Sequence, residues 1–256
     1  MEERQISYRS ALAILAIAMV AALGGYGVAL LGGSQEQRVT ALIEQHITAN
    51  PEIVLRAIQE LRRRDAKAKQ DLAKSNLAAF RAELTRDPRA PVGGNPEGDV
   101  TVVEFFDYNC PYCRAVKPAL RELLAEDAGL RFVYKEFPIL GESSQTAARA
   151  ALAVARQGTA AYERFHDALL GVQGQLANDD VFRVAERIGL DMARLRADME
   201  DPGIEAAIQA NLELASRLRI TGTPAFVIGE AIIPGAVSLE ELREAVSQAR
   251  TKSTGS

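Results

Sequence analysis

Two residues in this chain are candidates for covalent chemistry, and they are near neighbours. Cys110 and Cys113, within "FFDYNCPYCRAVKP" (Phe105 to Pro118), are the only cysteines. A lone Cys-x-x-Cys pair has three readings. As an inert staple it closes so small a loop that it stabilises little. As a structural zinc site it lacks ligands, because four are needed and His46 and His166 fall in separate predicted helices. As a reactive dithiol it needs only a helix that begins at Cys110. Pro111 then suits the first helical position, and the unpaired N–H groups and positive helix end favour a thiolate on Cys110. Cys113, one turn further in, is expected to be the more buried of the two. The spacing favours this last reading, for which no metal or other cofactor is called for.

A dithiol of this kind must be held by a scaffold, and the flanking pattern supplies one. "VTVVEFF", Val100 to Phe106, is a near-continuous run of β-formers broken by one charge, Glu104, as expected for a buried central strand. A helix follows from about Pro111 to Glu126, and "LRFVYKEF", Leu130 to Phe137, is a second strand. Residues 143–219 read as helical in several pieces, broken near Gly158, Gly171, Asn178, Gly189 and Pro202-Gly203. "AFVIG" and "AIIPG" are two further strands, joined by a tight turn at Gly229-Glu230. Ser238, with Glu241 three residues on, opens a final helix through a capping box. The order is that of an α/β protein with a thioredoxin-like fold.

At this point the sequence resembles a known family. "VVEFFDYNCPYC" is similar to the active-site strand and turn of the DsbA-like thioredoxin-fold oxidoreductases of bacterial envelopes. "TGTPAFVIG" is similar to the loop of that family that carries a cis-proline, here Pro224. The resemblance implies a catalytic domain over residues 87–252 with a helical insertion at about 143–219. It implies that Cys110 attacks, that Cys113 resolves the mixed disulfide, and that Glu104 is a buried acid exchanging a proton with Cys113. Pro111, Tyr112, Thr223 and Pro224 are implied to contact an extended substrate segment. Lys135 is a candidate partner for Glu104, whereas His166, in "ERFHDALL", reads as helix packing.

The N-terminal third is different in kind. Residues 11–31, "ALAILAIAMVAALGGYGVALL", contain no charge and reach roughly 30 Å as a helix, the thickness of a bilayer core. Arg4 and Arg9 in the n-region 1–10 place that end in the cytoplasm, although Glu2 and Glu3 offset them. The segment is either a transmembrane anchor or a signal cleaved near Gly27-Val28-Ala29. In both cases the remainder is exported, which suits disulfide chemistry. Residues 35–86 read as a helical stalk with an interrupted apolar stripe that includes Val54, Ile58, Leu61 and Leu72. Asn50 is expected to cap a new helix that starts at Pro51 and runs straight to about residue 85, roughly 50 Å. Residues 87–99, "DPRAPVGGNPEGD", read as a linker.

"IEQHITANPEIVLRAIQEL" ahead of such a domain resembles the ScsC-like subgroup, whose N-terminal helices can form trimers. The resemblance implies a periplasmic homo-oligomer, such as a trimer, anchored to the inner membrane if residues 11–31 are retained. Its partners would be exported proteins with cysteines and a membrane redox partner of DsbB-like or DsbD/ScsB-like type. Disulfide isomerase or reductase is the expected activity, and monomeric DsbA-like dithiol oxidase the alternative. Tyr112 cannot add the positive charge that a histidine there could, and Thr223 resembles the isomerase branch. From other classes, an envelope holdase or a Cu(I)-binding protein remains open. With 34 acids against 30 bases and a net charge of -4, nothing suggests a nucleic-acid partner.

Overall fold

The computed structural model describes residues 19–20 and 35–254. The n-region, and all of the 11–31 segment except Met19 and Val20, lie outside the described residues. No helix among the described residues is long and apolar enough to cross a membrane. The chain divides into two compact units, Met1–Ala68 and Lys69–Ser256, and the division falls inside the expected stalk.

In the first unit, helix α1 covers residues 35–49. Asn50 closes α1: its backbone N–H and its Nδ2 both donate to the His46 carbonyl, at 3.0 and 2.9 Å. Helix α2, Glu52–Ala79, begins with Glu52 in its first turn, which complements the positive helix end. Val39, Leu42, Ile43 and Ile47 of α1 are exposed, as are Val54, Leu55, Ile58 and Leu61 of α2. Glu60 pairs with Arg63 and Arg64 on the same helix.

In the second unit the expected straight helix to residue 85 breaks at Phe80 (φ -104°, ψ 18°), where a short helix α3, Arg81–Thr85, begins. The break turns Leu77 and Leu84 into a buried cluster with Val103, Phe105, Val133, Phe137, Leu214 and Leu218. The expected linker is instead structured. It contains strand β1, Val92–Gly94, which pairs antiparallel with the second long strand. Gly94 adopts φ +65°, and a Cβ there would lie 2.6 Å from the Leu130 carbonyl oxygen, so only glycine fits.

Five strands form one sheet in the order β1-β3-β2-β4-β5. Strand β2 is Val100–Phe106, β3 Leu130–Glu136, β4 Ala225–Ile228 and β5 Ala231–Pro234. β2 and β3 run parallel across helix α4, Pro111–Glu126, while β4 and β5 add antiparallel. Helices α5 (Glu142–Ala155), α6 (Thr159–Leu170), α7 (Asn178–Arg187), α8 (Met192–Met199) and α9 (Pro202–Arg217) form the insertion between β3 and β4. Helix α10, Leu239–Thr254, is opened by reciprocal bonds between Ser238 and Glu241.

Side chains alternate across the sheet, and the alternation sorts the core. Val102 and Phe106 of β2 and Phe132 and Tyr134 of β3 join Cys113, Val116 and the insertion on one face. Val103, Phe105, Val133 and Phe137 take the other face, with α3 and α9.

Candidate active site

The dithiol lies where β2 ends and α4 begins. Cys110 is the N-cap of α4, with extended backbone (φ -75°, ψ 117°) and Pro111 in the first turn. No side chain caps the helix, so its first N–H groups are left to the sulfur. Both thiols are free and buried, with Cys110 3% and Cys113 1% exposed, whereas Tyr112 between them is 65% exposed.

The two thiols sit in opposite electrostatic settings. A hydrogen bond from Cys113 is the largest influence on Cys110, helped by the Thr223 side chain and the N–H groups of Tyr112 and Cys113. Against the cost of burial, they bring its pKa down to about 5. Burial pushes the Cys113 thiol far up, and the neighbouring Glu104 adds to this. The pair is thus a thiolate beside a firmly protonated thiol.

Glu104 is 2% exposed and shares the face of β2 that carries Val102 and Phe106, the face on which Cys113 packs. Burial first, and then the charge of Cys110, raises its carboxyl to about 8. The suggested pairing with Lys135 does not form. Glu104 is level with Tyr134 in the sheet, so Lys135, one residue on, projects from the opposite face. There the fully buried Lys135 ammonium meets Asp87 Oδ2 at 3.1 Å. Asp87 also accepts from the Arg89 side chain and N–H.

The loop before β4 faces the dithiol. The Thr223-Pro224 peptide bond is cis, and the Cys110 sulfur lies 3.1 Å from the Thr223 carbonyl oxygen, to which it donates only in its protonated form. The structure therefore brings Cys110, Pro111, Tyr112, Cys113, Thr223 and Pro224 to one end of the two central strands β2 and β4, with Glu104 beneath. His166 lies away from the sulfurs, its ring 4.8 Å from that of Phe106.

A set of positioning groups escaped the sequence reading. Asp107 Oδ1 accepts from the Asn109 N–H (2.8 Å) and the Ser144 hydroxyl (2.7 Å), and Oδ2 accepts from the N–H groups of Ile139 and Leu140. Asn109 reaches into the insertion, donating to Ser143 and Ser144 and accepting from the Leu176 N–H at 2.7 Å. The Arg114 guanidinium donates to the carbonyls of Val172, Gly174 and Asn109. The turn bearing Cys110 is clamped on both sides. Asp107, two residues before Asn109, is a legible Asx-turn signal; its long-range partners are not. Among the described residues no group of three or more His, Cys, Asp or Glu converges as a metal site.

Residues 101–247 match the DSBA-like thioredoxin domain family. The chain belongs to this family. A thioredoxin-like oxidoreductase from Silicibacter pomeroyi is 51% identical, covering 67% of this chain and 98% of that one, with a TM-score of 0.64. Proteus mirabilis ScsC in a transitional conformation is 30% identical, covering 86% of this chain and 99% of that one, with a TM-score of 0.63. Among curated relatives, the Na(+)/H(+) antiporter NhaA 3 of Salinispora tropica is 38% identical over 64% of this chain, which spans only 25% of that protein's length.

Proposed function

We propose that this chain is an envelope disulfide isomerase or reductase that acts on exported proteins through Cys110 and Cys113. The observation that carries the proposal is the asymmetry of the pair, a thiolate-forming Cys110 at a helix start with a protonated Cys113 behind it. The Cys110 thiolate attacks a substrate disulfide sulfur. A mixed disulfide forms, and one substrate cysteine leaves as a thiolate. That thiolate can re-pair within the substrate, which is isomerisation, or Cys113 can displace the substrate from Cys110, which is reduction. In the second course the Cys113 proton passes to ionised Glu104. In the reverse direction protonated Glu104 supplies the proton that Cys113 takes as it leaves. A carboxyl at about 8 is poised for both near neutral pH. Pro111, Tyr112, Thr223 and Pro224 line the end of β2 and β4 against which an extended substrate segment would lie.

A stabilised thiolate makes the reduced form persist, which an isomerase requires and which equally makes the disulfide form an oxidant. The N-terminal unit favours isomerase. Its exposed apolar side chains on α1 and α2 suit association of several copies, such as a trimer, so that active sites share one substrate. The similarity to ScsC extends over 86% of this chain, well beyond the catalytic domain. The proposed setting is the periplasm, with residues 11–31 as an inner-membrane anchor. A membrane redox partner of DsbD/ScsB-like type would keep the pair reduced, and a DsbB-like one would keep it oxidised. Trapping the redox state of Cys110 and Cys113 in intact cells tests the proposal: mostly reduced supports isomerase or reductase, mostly oxidised overturns it in favour of oxidase.

A further inference from the structure

Beside the dithiol, on the same face of the sheet as Glu104, lies a second buried acid with no counter-charge. Glu136 ends β3 level with Phe106 and is 1% exposed. Its Oε1 accepts from the Tyr108 hydroxyl at 3.1 Å and the Tyr162 hydroxyl at 3.0 Å. Its Oε2 is buried and has no hydrogen-bond partner. A carboxylate here would leave one charged oxygen bare in an apolar layer, which is expensive. A carboxylic acid places its proton on that oxygen and leaves Oε1 free to accept both hydroxyls.

Among the described residues, no cation pairs with the Glu136 carboxyl. From β2 and the turn after it, Glu104 and Asp107 face Glu136, and a charge on either disfavours a charge on Glu136. Lys135, the adjacent base, projects from the opposite face and is held by Asp87. From α6 come Tyr162 and His166, and burial takes His166 down to about 3, so it is neutral. Its nearby charged groups, Asp167, Lys117 and Arg121, do not restore the proton. Tyr134 of β3 completes the cluster and is itself raised by Glu163, Glu104 and Asp167 after burial. From α9, Asn211 donates to the Glu136 backbone carbonyl and not to its carboxyl.

The link to the dithiol is Tyr108, two residues before Cys110. The hydroxyl has one hydrogen, which it gives to Glu136. His166 Nδ1, 3.2 Å from the same oxygen, must then carry a hydrogen and donate. The chain His166 to Tyr108 to Glu136, joined by Tyr162, ties the active-site turn to β3 and to α6. We propose that Glu136 is a second buried acid of the dithiol centre, a positioning residue that carries a proton at neutral pH and, through Tyr108, holds the turn that presents Cys110. The proposal rests on the dithiol-exchange reading above. Ionising Glu136 puts a charge beside Glu104 and Asp107, and it changes the strength of the hydrogen bonds that Tyr108 and Tyr162 donate to it, and with them the seat of Tyr108.

The test uses the full chain with Glu104→Gln, which removes the other buried acid. Infrared spectra at neutral pH should show a protonated-carboxyl band that disappears when Glu136→Gln is added. The rate of Cys110 alkylation, followed into the alkaline range, should show a further inflection of about threefold that Glu136→Gln abolishes. Tyr108→Phe should keep the band and lose the inflection, which separates proton storage from simple packing. Absence of the band, or alkaline profiles that superpose with and without Glu136, overturns the proposal. If instead Cys110 shows no low-pH thiolate, the exchange reading fails, and the band still decides the state of Glu136.

Discussion

The Cys110 sulfur lies 3.1 Å from the Thr223 carbonyl oxygen, although 113 residues separate them. The contact places the candidate nucleophile against the loop of the cis Thr223-Pro224 bond, with Cys113 on the inner side.

The first prediction concerns the two thiols. With its pKa at about 5 against an ordinary 9.0, Cys110 is almost wholly thiolate at neutral pH, where an ordinary thiol is about 1% ionised. Its alkylation should rise with a midpoint near pH 5 and be level through pH 7, while Cys113 stays unreactive. Cys110→Ser should abolish insulin reduction, and Cys113→Ser should accumulate mixed disulfides with clients on non-reducing gels. Alkylation of Cys113 at lower pH than Cys110 would reverse the assigned roles.

Glu104 has two measurable signatures. Unfolded, its carboxyl ionises near 4.5; folded, it keeps the proton to about 8. Between those values the folded state binds the extra proton, so stability falls as pH rises. From about pH 4 to pH 7 the stability difference should shift by about 3 kcal/mol in favour of Glu104→Gln. The same variant should slow the step in which Cys113 gains or loses its proton, by about a hundredfold. Urea titrations at several pH values and single-turnover exchange kinetics measure these effects.

Asp87 and Lys135 form a buried ion pair on the other face of the sheet. Asp87→Ala strands the Lys135 charge and should cost about 3 to 5 kcal/mol. Replacing Lys135 with Met in the same chain should recover most of that loss, as read by the urea midpoint. Although burial opposes it, Arg89 and Lys135 hold the Asp87 carboxyl at about 2 against an ordinary 3.8. Its stabilising contribution is therefore complete above pH 3.8 and is lost as pH falls through about 2.

Two truncations separate the stalk from the catalytic unit. A chain beginning at Lys69 should be monomeric by light scattering, keep insulin reduction, and lose isomerisation of scrambled ribonuclease. Equal isomerisation by the long and short chains reduces the stalk to a spacer. A chain beginning at Asp87 should in addition lose several kcal/mol, because Leu77 and Leu84 each bury a side chain worth about 1.5 to 3 kcal/mol. Its thermal midpoint against that of the Lys69 chain measures the difference.

Residues 87–99 and Lys135 show where linear reading stops. Proline and glycine at 88–98 signal turns correctly, yet Val92–Gly94 pairs with β3, because three residues with two glycines carry no strand pattern of their own. By sequence alone Lys135 is a candidate partner for Glu104. The register that sets Glu104 against Tyr134 sends them to opposite faces, and a one-residue shift would have reversed the answer.

The sequence by itself determined what depends on local geometry. The strand to Phe106, the helix from Pro111 to Glu126, and the placing of Cys110 at that helix's start follow from side-chain pattern, proline and cysteine spacing within about twenty residues. Tertiary structure alone decided the partners of buried groups. Asp107 meets Ser144, Lys135 meets Asp87, and Glu136 meets Tyr108 and Tyr162 only after the chain has folded around the sheet. A buried polar group takes whichever donor or charge the packing brings within about 3 Å, and that choice is made by contacts far apart in sequence.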